Sequence, residues 1–209
     1  MMLRKVLVAF LLGLFLFSPT QAEAQRWLQT SQLIVPVEAD SPTQALLDTL
    51  VQVVRRKDSL MVRRSPDNSA AMSLTDLENK LISGPGIGLS SASHVFIDYK
   101  FMIGNRGYEE SIEAFKFIFR RGEAASDVPI LYVEAKKPWV QQILRNKGTT
   151  LQSNQAALKT FSDQLAFARM QDNEGAQVVE IAGKPVRSGY ETKKQKLVEK
   201  ITRLTYGSM

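Results

Sequence analysis

The chain has 209 residues, with 27 lysines and arginines against 21 aspartates and glutamates, one histidine and no cysteine. Disulfides, thiolate nucleophiles and thiolate metal sites are therefore excluded, as is any metal centre built from several histidines. The net charge of +6 is modest and scattered, which suits an anionic surface or an acidic partner and argues against a nucleic-acid site.

The amino-terminal segment has three zones. Arg4 and Lys5 are followed by an unbroken apolar run over residues 6–17, then by the small-x-small site Ala22-Glu23-Ala24 before Gln25. This is the layout of a cleavable secretory signal, and the run falls short of the roughly 20 residues that span a bilayer as a helix. The expectation is a signal peptide over 1–24 and a single exported, periplasmic domain over 25–209. Without disulfides that domain must rest on its core, and a chain of this size buries about 70% of its unfolded surface.

Along the domain, Leu33, Ile34, Val35 and Val37 read as a strand. Ser41-Pro42-Thr43-Gln44 starts a helix with a cap, a proline at the first position and the elements of a capping box. Leu46, Leu47, Leu50, Val53 and Val54 carry it to about Lys57, and Leu60-Met61-Val62 suggests a further strand, giving a β-α-β unit. Ser73 caps a short helix through Leu81, ended by the glycine-rich stretch 83–88. That stretch follows a helix and lacks the Lys-Ser/Thr pair of a phosphate loop.

Residues 94–103 alternate, with Val95, Ile97, Tyr99, Phe101 and Ile103 on one face, and predict the central strand. A partner strand is expected from about Ala114 to Arg120, reached by a long hairpin connection. Ile130, Leu131, Tyr132 and Val133 give another strand, and Pro138 and Trp139 open a helix over Val140, Ile143 and Leu144. Residues 151–170 predict the longest helix, 178–181 a last strand, and 191–204 an amphipathic helix with Leu197, Val198, Ile201 and Leu204 opposite lysines. The fold class is α+β: one domain, a mixed and largely antiparallel sheet of four to six strands, and about five helices.

Few residues suggest chemistry. His94 stands at the start of the strongest strand, and Asp98 lies four residues on, about 13 Å along a strand and beyond hydrogen-bond reach. Glu134-Ala135-Lys136 ends an apolar strand and puts a carboxylate and an ammonium on one face. The stretch 130–138, ILYVEAKKP, resembles the second half of the PD-(D/E)xK nuclease motif. That resemblance covers fewer than ten residues and implies Mg²⁺-assisted phosphodiester hydrolysis by Glu134 and Lys136 with an upstream aspartate, Asp98 or Asp127. The basic clusters Arg55-Arg56-Lys57 and Arg63-Arg64, with Trp139 and Tyr132, are candidates for binding an anionic ligand.

No cofactor motif is present. The composition points first to a non-catalytic periplasmic accessory or assembly protein of an envelope machine, of the secretion, conjugation, pilus or flagellar type, with other envelope proteins as partners. The alternatives are a binder of anionic lipid, polysaccharide or another envelope polymer, and the nuclease.

Overall fold

Val95, Ile97, Tyr99 and Phe101 are at most 1% exposed, whereas Phe96, Asp98 and Lys100 between them are half-buried. This period-2 burial defines strand β2 (His94–Gly104) and gives the sheet one face packed against helices. The computed structural model describes residues 27–67, 70–104, 107–122, 126–149, 159–186 and 191–206; the expected signal segment, and Leu151, Ala157 and Leu158 of the expected longest helix, lie outside them.

Five strands join β2: β1 (Trp27–Pro36), β3 (Gly107–Phe119), β4 (Val128–Glu134), β5 (Gln177–Ile181) and the short β6 (Lys184–Pro185). They form one six-stranded sheet in the order β4-β3-β2-β1-β5-β6. Every strand pairing is antiparallel, so the expected α+β domain has a sheet without the parallel component of a β-α-β unit. Leu60-Met61-Val62 makes no strand. Val62 forms an isolated bridge to Met72 and Arg63 another to Tyr132, because the two arginines that follow Val62 turn to other partners instead of extending a ladder.

Six α-helices lie among the described residues: α1 (Pro42–Arg55), α2 (Leu74–Ser83), α3 (Pro138–Asn146), α4 (Phe161–Gln164), α5 (Phe167–Met170) and α6 (Glu191–Tyr206). The Ser41 hydroxyl caps α1 by accepting from Gln44 N–H, and Ser73 caps α2 by accepting from Asp76 N–H, each satisfying an otherwise orphaned donor. The capping box expected at α1 is half formed, since the Gln44 side chain turns to Asp48 instead.

Two further expectations are corrected. The β2–β3 connection is tight rather than long: Gly104 pairs with Gly107, and β3 begins seven residues earlier than Ala114. Its polar first half was hidden from sequence reading because Glu109, Ser111 and Glu113 break the apolar alternation. The expected helix over 151–170 is, in its described part, the two four-residue helices α4 and α5. Thr160 is extended (φ −66°, ψ 159°) and forms a capping box with Asp163, so a helix starts there and none passes through.

The buried face of the sheet holds α5 with aromatic side chains. Phe167 meets Tyr99 and Phe101 edge-on at 5.2 Å each, contacts worth ~1 kcal/mol apiece beyond burial. Four residues do not make a stable helix alone, so α5 depends on this clamp. Leu197 and Ile201 of α6 join the same core, as do Leu77 and Leu81 of α2.

Candidate functional site

The sheet's second face carries the polar residues. In register, Glu180 of β5 faces Gln32 of β1, Gln32 faces Asp98, Asp98 faces Ala114, and Ala114 faces Glu134. Paired residues point to the same side, so one row crosses five strands and brings Asp98 onto the face that carries Glu134. The small Ala114 stands between them, two strand spacings or about 9.6 Å of backbone.

Asp98 and Glu134 in this row, and Lys136 beside it, already have partners. Gln32 donates to Asp98 at 2.6 Å, Arg63 lies 3.8 Å from Glu134, and Lys136 pairs with Glu113. Burial raises the Asp98 carboxyl above its usual range; the Gln32 bond and the Lys116 charge oppose this, and Glu113 adds to it. Burial also raises the Tyr132 hydroxyl, with Glu134 and Asp98 adding to the effect and Arg63 opposing it. Lys116 sits over the Phe96 ring at 5.5 Å. Asp127 precedes β4 and bonds to Arg120 at 3.3 Å, at the far end of the strand from Glu134. Mg²⁺ takes carboxylate oxygens at about 2.0–2.1 Å, and no group of three or more histidine, aspartate or glutamate side chains among the described residues is placed to hold a metal.

His94 is half-buried. Its Nδ1 lies 3.0 Å from the Ser93 hydroxyl, and that same Ser93 oxygen accepts from Arg120 N–H. Desolvation and then the Arg120 charge hold the imidazole below its ordinary pKa, with Asp127 and Glu38 opposing. The ring and the engaged hydroxyl form a local strand-end contact.

The basic residues are distributed among separate partners. Arg55 reaches Glu78 of α2 at 2.6 Å, while Arg56 and Lys57 are exposed at the end of α1. The Arg64 Nε donates to the Pro129 carbonyl at 2.8 Å. Trp139 packs, partly buried, against the core. A cleft of about 440 Å³ between α1 and α2 includes Arg55, Glu78 and the 64% exposed Ile82, but none of the other predicted binding residues.

Neither a protein family nor a curated protein matches this chain.

The feature that sequence reading missed is the outer edge of β3. Strand β4 pairs with β3 from Phe119 back to Ala114, Ala135 N–H then donates to the Glu113 carbonyl at 2.9 Å, and the chain turns into α3. Among the described residues, no strand pairs with 107–112 on that side. A cleft of about 220 Å³ runs beside this edge, walled by Glu109, Glu110, Ser111 and Ile112 on the strand, Gln141, Leu144 and Arg145 on α3, and Ser162 on α4. Within it Glu110 accepts from Phe167 N–H at 2.7 Å and from the Tyr108 hydroxyl at 3.1 Å. Burial holds this carboxyl above its usual range, against both hydrogen bonds. The signal that could have found the edge is the length of β3, visible only once its polar half is recognised as strand.

Proposed function

We propose that the chain is a non-catalytic envelope protein, exported behind residues 1–24, that acts by holding an extended segment of another protein along the free edge of β3. The observation that carries this reading is that β3 outlasts β4: the sheet leaves a place where β4 departs, and a cleft lies beside it. An unpaired edge invites strand addition, in which main-chain hydrogen bonds supply affinity and flanking pockets choose side chains. Leu144 and Ile112 offer apolar contact there, and Arg145 and Glu109 offer charge. The accessory role fits a composition without thiols and with a single histidine engaged in a local contact.

The test is site-specific crosslinking in the native cell. A photo-crosslinking residue at the exposed Glu109, beside the edge, is expected to capture a partner protein, and one at the exposed Asp48 of α1 is not. Adducts from Asp48 with none from Glu109 would move the contact surface away from β3 and overturn the reading.

A further inference from the structure

Helix α6 supplies half of the chain's net charge. Its 16 residues hold five cations, Lys193, Lys194, Lys196, Lys200 and Arg203, against Glu191 and Glu199, so +3 of the total +6 lies here. Lys194 turns to Glu191 at 3.6 Å. Lys193, Lys196, Lys200 and Arg203 follow one another at spacings of three, four and three, which places them along one stripe. Lys193, Lys196 and Arg203 are exposed and Lys200 is half-buried. The stripe runs about 15 Å along the helix axis.

From this stripe we infer that α6 docks the protein, peripherally and reversibly, on a bilayer rich in anionic phospholipid. The apolar side of the helix is already used, since Leu197 is 7% exposed and Ile201 0%. It therefore has no face left to bury among acyl chains, as an inserted amphipathic helix must. Charge attraction alone remains, and it is screened by salt. Three of the four cations are lysines, compact hydrated charges on flexible stems. They suit a plane of mobile headgroups better than a shaped acidic pocket, where planar arginine forks are favoured. The inference does not rest on the β3 edge: Thr205, in the last turn of α6, hydrogen-bonds to Tyr108 of β3, whereas Lys193 and Lys196 lie in the first two turns.

The experiment is co-sedimentation of the full chain with vesicles of phosphatidylcholine alone and of phosphatidylcholine mixed with phosphatidylglycerol. Residues 6–17 are apolar and contribute to both, so the difference between the two vesicle types reads the electrostatic part. That difference is expected to be large at low salt and to vanish at high salt. The double variant Lys193→Gln/Lys196→Gln is expected to lower it by roughly 30-fold, since each basic residue near an anionic surface contributes about a fivefold factor. Lys193→Arg/Lys196→Arg is expected to retain it. Equal partitioning to both vesicles overturns the inference, and so does a loss that follows Arg56→Gln/Lys57→Gln instead. These exposed substitutions leave the buried side of α6 intact, and an unchanged circular dichroism spectrum verifies that each variant is folded.

Discussion

Tyr99, at the centre of the sheet's buried face, donates its hydroxyl to the backbone carbonyl of Leu165 at 2.7 Å. Leu165 is the residue that closes α4, so a single side chain on the central strand holds the bend between α4 and α5. Removing the hydroxyl while keeping the ring isolates this bond. Tyr99→Phe is expected to cost ~1–2 kcal/mol, because the Leu165 carbonyl loses a buried partner. Urea unfolding should show a lower midpoint with an unchanged slope; an unchanged midpoint would mean that the aromatic clamp alone fixes the bend.

Glu110 gives the protein an unusual dependence on pH. Its folded carboxyl titrates above its ordinary value because it is buried beside Tyr108 and the start of α5. The folded state therefore binds this proton more tightly than the unfolded chain does. The associated stability is fully present below the ordinary carboxylate pKa and is lost as pH rises through the raised one. Glu110→Gln keeps an acceptor for Phe167 N–H and removes the titration. Its stability relative to the unmodified chain is expected to improve steadily from pH 4 toward neutrality, as measured by denaturant titrations. A difference that stays constant across that range would sink the assignment.

Ala166, at the N-cap of α5, has no side-chain acceptor, and Glu110 supplies one from across the cleft. Glu110→Ala is therefore expected to cost ~1–2 kcal/mol at pH 5, more than Glu110→Gln, because it strands a donor. Amide exchange at Phe167 reports it directly: protection there should fall in the alanine variant and survive in the glutamine one.

Gly148 sits where two chain segments pass close together. A Cβ at this position would overlap the Lys159 carbonyl, one residue from the 2.6 Å bond between Phe161 N–H and the Lys147 carbonyl. Gly148→Ala is expected to destabilise by ~2 kcal/mol or more, since backbone cannot swing aside as a side chain would. Gly88→Ala is the control, meeting only the Ser90 hydroxyl at 3.8 Å, and its thermal midpoint should be nearly unchanged.

Much of the architecture was legible in the sequence because local chemistry and packing agree there. Ser41 and Ser73 cap helices as their spacing dictates, and the alternation from Val95 to Phe101 matches burial residue by residue. Reading failed where tertiary contacts decide. Phe161, Leu165 and Ala168 keep helical spacing, yet Tyr99 and the Thr160 cap impose a break. The first half of β3 carries Glu109, Ser111 and Glu113 on its open second face and the buried Glu110 on the other, so no apolar alternation marks it as a strand. The candidate site was hidden for the same reason: an unpaired edge is a relation between two strands, and no residue pattern in β3 records where β4 stops. The row from Asp98 to Glu134 also depends on register, with one bulge between Asp98 and Tyr99 and another between Phe117 and Ile118.

The strand order has a consequence for how the protein comes into being. β1 lies between β2 and β5, so the first strand to be synthesised finds its second neighbour only when β5 emerges, some 140 residues later. β2, β3 and β4 form a meander that can close locally, whereas the middle of the sheet has to wait for distant chain, the slow kind of contact. The centre of the sheet is thus completed late, after the meander of β2, β3 and β4 is already able to form.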